Sequence, residues 1–178
     1  MPATLRLADH GDLALLRALM ARSIAELQSS FLSTEQVAAS VDVMGLDTQL
    51  ISDDTYFIAE IDGAIAGCGG WSRRATLYGG DHSADLRDPR LLDPACEPAR
   101  VRAMYTDPAF VRRGVGKAIL ARCEEAARGE GFRRAEMMAT LAGEPLYRAC
   151  GYRPIEQMAA TTKAGVSVPL IRMGKALA

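Results

Sequence analysis

Two histidines, His10 and His82, are all that the 178 residues contain, so the side chain that ordinarily titrates near neutrality is almost missing. The four cysteines, Cys68, Cys96, Cys123 and Cys150, are widely scattered. No C-x-x-C or mixed Cys/His cluster arises, which argues against a metal site or a disulfide framework and predicts reduced thiols in a cytoplasmic protein. Neither sign of charge is in excess: Lys plus Arg number 21 and Asp plus Glu 22, for a formal charge of −1. On that balance neither a nucleic-acid partner nor a solvating acidic tail is expected. Hydrophobic residues reach 49%, yet no uninterrupted run nears the roughly 20 residues of a membrane span. The opening MPATLRLADH has no apolar core of the kind a secretion signal needs. Repeats and low-complexity tracts are missing too. A chain of this length is expected to form a single domain over residues 1–178 with a proper core.

What the sequence does hold is concentrated between Val101 and Ala127. A strand-like run, Val101 to Thr106, turns at Asp107-Pro108, passes through a basic loop from Arg112 to Lys117, and enters an amphipathic helix over Gly114 to Arg128. A glycine-bearing turn that feeds a helix start aims several unpaired N–H groups at one spot, which suits an anion. Gly114 and Gly116 carry no Cβ to hold a ligand off, and Arg112, Arg113 and Lys117 add positive charge. The stretch reads as a diphosphate cradle; the plainer alternative is a tight turn that uses glycine for geometry alone. A Walker A loop is excluded, because Val111 stands where it needs glycine and Ala118 where it needs a hydroxyl. The dinucleotide fingerprint fails at Ile119, the place of its third glycine. A kinase glycine loop lies between two strands and fails on spacing.

The run Pro108-x-x-Val111-Arg112-Arg113-Gly114-Val115-Gly116-Lys117-Ala118-Ile119-Leu120 resembles the acetyl-CoA-binding signature of the GNAT superfamily of N-acetyltransferases, usually written Arg/Gln-x-x-Gly-x-Gly/Ala. Val111 departs from its first position, but the family's loop works mainly through backbone amides. A second stretch, Ala139 to Tyr152, resembles the family's strand and short helix ending in F/L-Y-x-x-x-G-F/Y, here Leu146-Tyr147-Arg148-Ala149-Cys150-Gly151-Tyr152. One helix and one strand separate the two motifs, which together cover the C-terminal half.

The resemblance implies an α/β (α+β) fold: a mixed, mostly antiparallel central sheet flanked by helices, with splayed central strands. It implies transfer of acetyl from acetyl-CoA to a primary amine, on a small molecule or a peptide, by direct attack in a ternary complex. It also points to a homodimer. The pantetheine arm would slot beside Met104, Tyr105 and Thr106, with the Met104 N–H on the thioester carbonyl. The diphosphate would sit on Arg112, Arg113, Gly114, Val115, Gly116 and Lys117. Tyr147 falls where the family's general-acid tyrosine usually stands. The carboxylate base often found on the central strand has no counterpart, since that strand offers Arg102 and Tyr105 but no Glu. His82 or ordered water remain as proton acceptors. The missing carboxylate keeps a rival open, an acyl-CoA-binding regulatory or sensor domain without turnover. A binder of another nucleotide or phosphate is a third, weaker reading.

Elsewhere, Thr4 to Ala8 predicts a first strand with Leu5 and Leu7 on one face. Asp9 is a plausible cap for a helix whose Leu13, Leu16, Met20, Ile24 and Leu27 should face a sheet. Ser33 and Gln36 have capping-box spacing for a second helix continued by Val37 and Val41. In the resembling family this helical pair lines the acceptor side, which would bring Phe31 or Gln36 to substrate. Tyr56 to Ile61, Asp62-Gly63 and Ala64 to Trp71 predict a hairpin with a type I′ turn. Its second strand is rich in glycine, which lets a backbone or ligand come close. Trp71 reads as core, and Arg73 and Arg74 as a solvated strand end or an acceptor-site rim. Arg74 to Ala99 shows no periodicity and is expected to be a lid or a disordered segment. Tyr152 to Gln157 and Val166 to Met173 predict a terminal strand pair.

Overall fold

The computed structural model describes residues 1–178. Alternating runs become seven strands: β1 (Thr4–Leu7), β2 (Tyr56–Ile61), β3 (Ala64–Ser72), β4 (Ala99–Thr106), β5 (Arg134–Thr140), β6 (Arg153–Thr161) and β7 (Ser167–Ala176). They lie side by side in one sheet, in the order β1-β2-β3-β4-β5-β7-β6. Only the β4–β5 pair is parallel, so the sheet is mixed and mostly antiparallel, as expected. Asp62 and Gly63 both have positive φ, 51° and 79°, the pairing a type I′ hairpin turn demands.

Helices cover both faces. Helix α1 (Leu13–Leu27) and the short α3 (Thr48–Ser52) pack on the face that carries Tyr56, Ile58 and Cys68. Helix α4 (Val115–Gly129) lies on the opposite face, over Phe57, Ala59 and Ala66, and α5 (Glu144–Ala149) sends Tyr147 into the same cluster. The glycines of β3 allow α4 to lie close. A Cβ at Gly67 would stand 2.6 Å from Val115 Cγ1 and 2.9 Å from the Tyr105 carbonyl oxygen, and one at Gly69 would collide with Met104 and Ile119. Trp71 is core, edge-on to Phe132 at 5.9 Å between ring centroids.

Several expectations need correction. Strand β1 stops at Leu7, and Leu7 is exposed while Leu5 packs on the core. Asp9 caps a 3-10 turn (His10–Asp12) and α1 begins only at Leu13. Helix α2 (Thr34–Ser40) does carry the Ser33/Gln36 capping box, but it ends before Val41, which is exposed. Arg73 and Arg74 are not a solvated end: they pair with Glu130 and Asp53. The terminal pair is longer than its apolar pattern, because β6 is an edge strand with mostly exposed side chains and no alternation to read.

The stretch from Arg74 to the start of β4 is ordered, not disordered. Arg74 bridges Leu91, Ala75 and Thr76 bond back to Arg90 and Asp88, and Ser83 reaches Asp42. Its anchor is Arg102, which donates to the carbonyls of Thr76 and Gly79 and pairs with Asp47 at 3.0 Å, both charged side chains being 2% exposed. Asp47 also caps α3 through the Gln49 N–H. Composition alone could not show this, since the loop is ordered by a partner on β4.

Three aspartates set the response to acid. Arg6 hydrogen bonds hold the Asp12 carboxyl below the usual range, and those of Arg74 do the same for Asp53. Burial pushes Asp107 up, but the bonds from Arg22 and the Ala109 N–H outweigh it and leave it depressed. Folded-state values below the unfolded value of about 3.9 mean that the stabilisation is complete above that pH and is lost as pH falls. Urea unfolding should therefore give a level free energy between about pH 7 and 5 and a fall below about pH 4, and Asp12→Asn should flatten part of that fall.

Candidate functional site

Strands β4 and β5 pair only at Ala99 with Ala135 and Arg100 with Glu136. Arg100 binds Glu136 at 2.9 Å, and Arg172 of β7 reaches the same carboxylate oxygen at 2.6 Å. Past this clamp the two strands part. Each stays paired on its outer side, β4 with β3 as far as Thr106, through one bulge, and β5 with β7 as far as Thr140. Their facing edges have no ladder partner, and a row of main-chain groups is left for a guest or for water. A cavity of about 850 Å³ opens there, lined by Val101 to Thr106 from one strand and Met137, Met138 and Thr140 from the other.

The wall on the β4 side is bent by design of its neighbours. Two steps along β3, Cys68 to Gly70, match three along β4, Tyr105 to Arg102, so β4 carries one extra residue. That is a β-bulge, and Ala103 within it has φ 50°, a conformation an alanine adopts only when its surroundings hold it. Buried Tyr56 does so: its hydroxyl donates to the Ala103 carbonyl at 2.7 Å. Met104 follows directly and lines the cavity, with Gly69 leaving room for its side chain. Tyr105 points to the other face, where its hydroxyl accepts from the Gly45 N–H at 2.9 Å.

At the end of β4 the chain is turned by Asp107, which accepts from the Ala109 N–H and pairs with Arg22 of α1. Arg112 and Gly114 then take positive φ, 64° and 79°, a backbone that curls its N–H groups inward. Helix α4 starts without a side-chain cap, and its first intrahelical bond runs from the Ala118 N–H to the Gly114 carbonyl. The N–H groups of Val115, Gly116 and Lys117 precede that bond and face an end of the cavity. A Cβ at Gly116 would come within 2.6 Å of Leu146, so the cradle is closed by α5. Arg112 and Lys117 line it; Arg113 does not, its guanidinium lying over the Phe110 ring at 5.3 Å.

Tyr147 lines the same cavity, nearly buried, with Tyr152 edge-on at 6.3 Å. Burial pushes its phenol well above the ordinary value, and it is protonated at neutral pH. His82 is not brought to the cavity: it is an exposed loop residue whose Nε2 lies 2.5 Å from the Val41 carbonyl oxygen. Of the two residues expected on the acceptor side, Phe31 lines the cavity, whereas Gln36 closes its capping box and holds the Ser167 carbonyl. Sequence reasoning missed Glu26 and Gln28, which line the far half. Glu26 forms no ion pair, and the Gln28 Oε1 is buried without a hydrogen-bond partner. Nothing in their spacing marks them, because both sit at a helix end where polar residues are ordinary. No group of three or more His, Cys, Asp or Glu side chains is placed to hold a metal ion.

Residues 52–154 match the model of the acetyltransferase (GNAT) domain family. Nothing among curated proteins matches the chain. Solved structures do. A GCN5-related N-acetyltransferase from Rhodopseudomonas palustris shares 18% identity at TM-score 0.72, over 99% of this chain and 96% of that one. The PaiA N-acetyltransferase from Thermoplasma acidophilum, in complex with coenzyme A, shares 13% at TM-score 0.65 over 99% of both chains. A phosphinothricin acetyltransferase from Sinorhizobium meliloti, in complex with acetyl-CoA, shares 21% at TM-score 0.64, over 99% of this chain and 89% of that one. At these identities the likeness shows the fold.

The dependence of the bulge on Tyr56 can be measured. Tyr56→Phe leaves the Ala103 carbonyl without its donor and should lower the unfolding free energy by about 1–3 kcal/mol in urea. Stability within a few tenths of the parent would show that the bulge holds itself.

Proposed function

The chain belongs to the GNAT acetyltransferase family, and from that membership we propose that it moves acetyl from acetyl-CoA to a primary amine, on a small molecule or a peptide, by direct attack with both substrates bound. The observation that carries this is one continuous cavity that runs from the uncapped start of α4, along the unpaired edges of β4 and β5, to Tyr147. The residues fit the coenzyme. Free N–H groups at Val115, Gly116 and Lys117 suit a diphosphate, with Arg112 and Lys117 adding charge beside them. The open strand edges at Met104 to Thr106 suit the amide-bearing arm, which can bond as an added strand does. When bound, acetyl-CoA supplies an acetyl thioester activated for attack by an amine.

The chain's own groups then divide the work. The Met104 N–H, in the bulge and on the cavity wall, donates to the acyl oxygen as negative charge grows on it. Tyr147 holds a proton on its hydroxyl and gives it to the departing sulfur. The amine must lose a proton, since an alkylamine with a pKa of about 10.4 is mostly charged at pH 7. Glu26, the unpaired carboxylate on the cavity wall, can take it directly or through water. That supports turnover over the rival reading of a silent acyl-CoA sensor, whose case rested on the lack of any such carboxylate on β4.

Calorimetry should detect acetyl-CoA binding, and free thiol should appear when an amine is added. Tyr147→Phe should cut kcat about 100-fold while leaving the acetyl-CoA Kd within twofold. Because burial raises this phenol, the parent's kcat should show no falling limb from it below about pH 10. Equal turnover by Tyr147→Phe would remove the acid assignment, and no heat with acetyl-CoA would remove the function.

A further inference from the structure

Resting on that reading, we infer that the acceptor is a monoamine with an apolar or aromatic body and no carboxylate, so that α-amino acids are excluded while their decarboxylated counterparts are accepted. The half of the cavity away from α4 is built from unlike parts. Its body is apolar, from Phe31, Val43, Met44, Tyr78 and Leu170. Its side chains bring no free positive charge: the Gln28 Oε1, on a residue only 7% exposed, has no partner, the exposed Glu26 carboxylate is unpaired, and the hydroxyls of Ser23, Ser30 and Tyr78 are neutral. An ammonium or amine N–H can satisfy both. A carboxylate can pair with neither oxygen, would find only neutral donors on this wall, and would face Glu26 besides.

A cation able to receive a carboxylate is missing from this half. Arg102 lines the wall, but its guanidinium is already shared among Asp47 and the Thr76 and Gly79 carbonyls. Arg22 is spent on Asp107. The remaining lining cations, Arg112 and Lys117, sit at the α4 end where the diphosphate would lie. A substrate carboxylate would therefore give up part of its hydration to a wall without a free counter-charge, beside an anionic Glu26, which costs free energy.

The test uses matched pairs with acetyl-CoA at saturation: 2-phenylethylamine against phenylalanine, tryptamine against tryptophan, and 3-methylbutylamine against leucine. Acetylated product is quantified by mass. The kcat/KM of each amine should exceed that of its amino acid by about 100-fold or more. Glu26→Gln should narrow that ratio at least fivefold, a change that a purely structural role for Glu26 would not produce. Gln28→Leu should raise the KM for the amines about tenfold and leave the acetyl-CoA Kd unchanged. Amino acids used as well as, or better than, the amines would overturn the inference and leave the acetyltransferase function standing. Acetyl-CoA binding with transfer to no member of any pair would overturn the inference itself, and no binding of acetyl-CoA would overturn the function beneath it.

Discussion

The parting of β4 from β5 is the constraint on which the rest of the structure depends. Two adjacent parallel strands normally complete each other's hydrogen bonds, and buried main-chain groups without partners are costly. Here pairing ends after Arg100 and Glu136, and the opening persists because each strand is held on its outer side. Seven consecutive residue pairs tie β5 to β7, Arg134↔Ala176 through Thr140↔Leu170, and β3 follows β4 to Thr106. The Arg100–Glu136–Arg172 cluster sits at the vertex. An ion cluster of this kind adds little net stability but is costly to place elsewhere, so it fixes where the strands separate.

Around that opening, the supports are specific rather than strong. Tyr56 holds a strained alanine, Asp107 joins the end of β4 to α1, and Arg102 ties the segment after β3 to the strand's face. Removing one partner of the Arg102–Asp47 pair would leave a buried charge alone, whereas the intact pair contributes little net energy of its own. Two of these supports, Arg22 to Asp107 and Arg102 to Thr76 and Gly79, join β4 to elements that also line the cavity, α1 and the segment after β3.

How far the sequence reveals this depends on whether the signal is local. The hairpin at Asp62-Gly63, the Ser33/Gln36 capping box and the helix entered through Gly114 were all legible, because turn and cap chemistry acts over two to four residues. That the loop after β4 and Tyr147 belong near one another was legible for the same reason, since each sits in a contiguous run, and both line the cavity. Arg113 and His82 were misplaced by the same local logic. Charge in the loop did not reveal that Arg113 would lie on Phe110, nor did the titration range of His82 reveal that it would face the Val41 carbonyl. The order of the 74–98 segment and the places of Glu26 and Gln28 on the cavity wall were not legible at all. The first arises from a partner more than twenty residues away, Arg102 reaching Thr76 and Gly79.

The composition of the cavity also bears on whether acetyl would rest on the protein between substrates. A relay through a covalent intermediate needs a nucleophile that is both exposed to the cavity and ionised or activated. None of the four cysteines lines it. Cys68 is fully buried beside Tyr56, and burial pushes its thiol up to about 12; Cys123 is on the buried face of α4 and is raised further still. The serines that do line it, Ser23 and Ser30, make no hydrogen bond to a histidine, and the His82 Nε2 faces the Val41 carbonyl. Meanwhile the two ends of the opening carry opposite character, cationic at α4 and anionic or acceptor-rich at Glu26 and Gln28. Under the proposed function an anion at one end and an amine at the other are held at once, and since no cysteine lies on the wall between them that proposal needs no thiol relay.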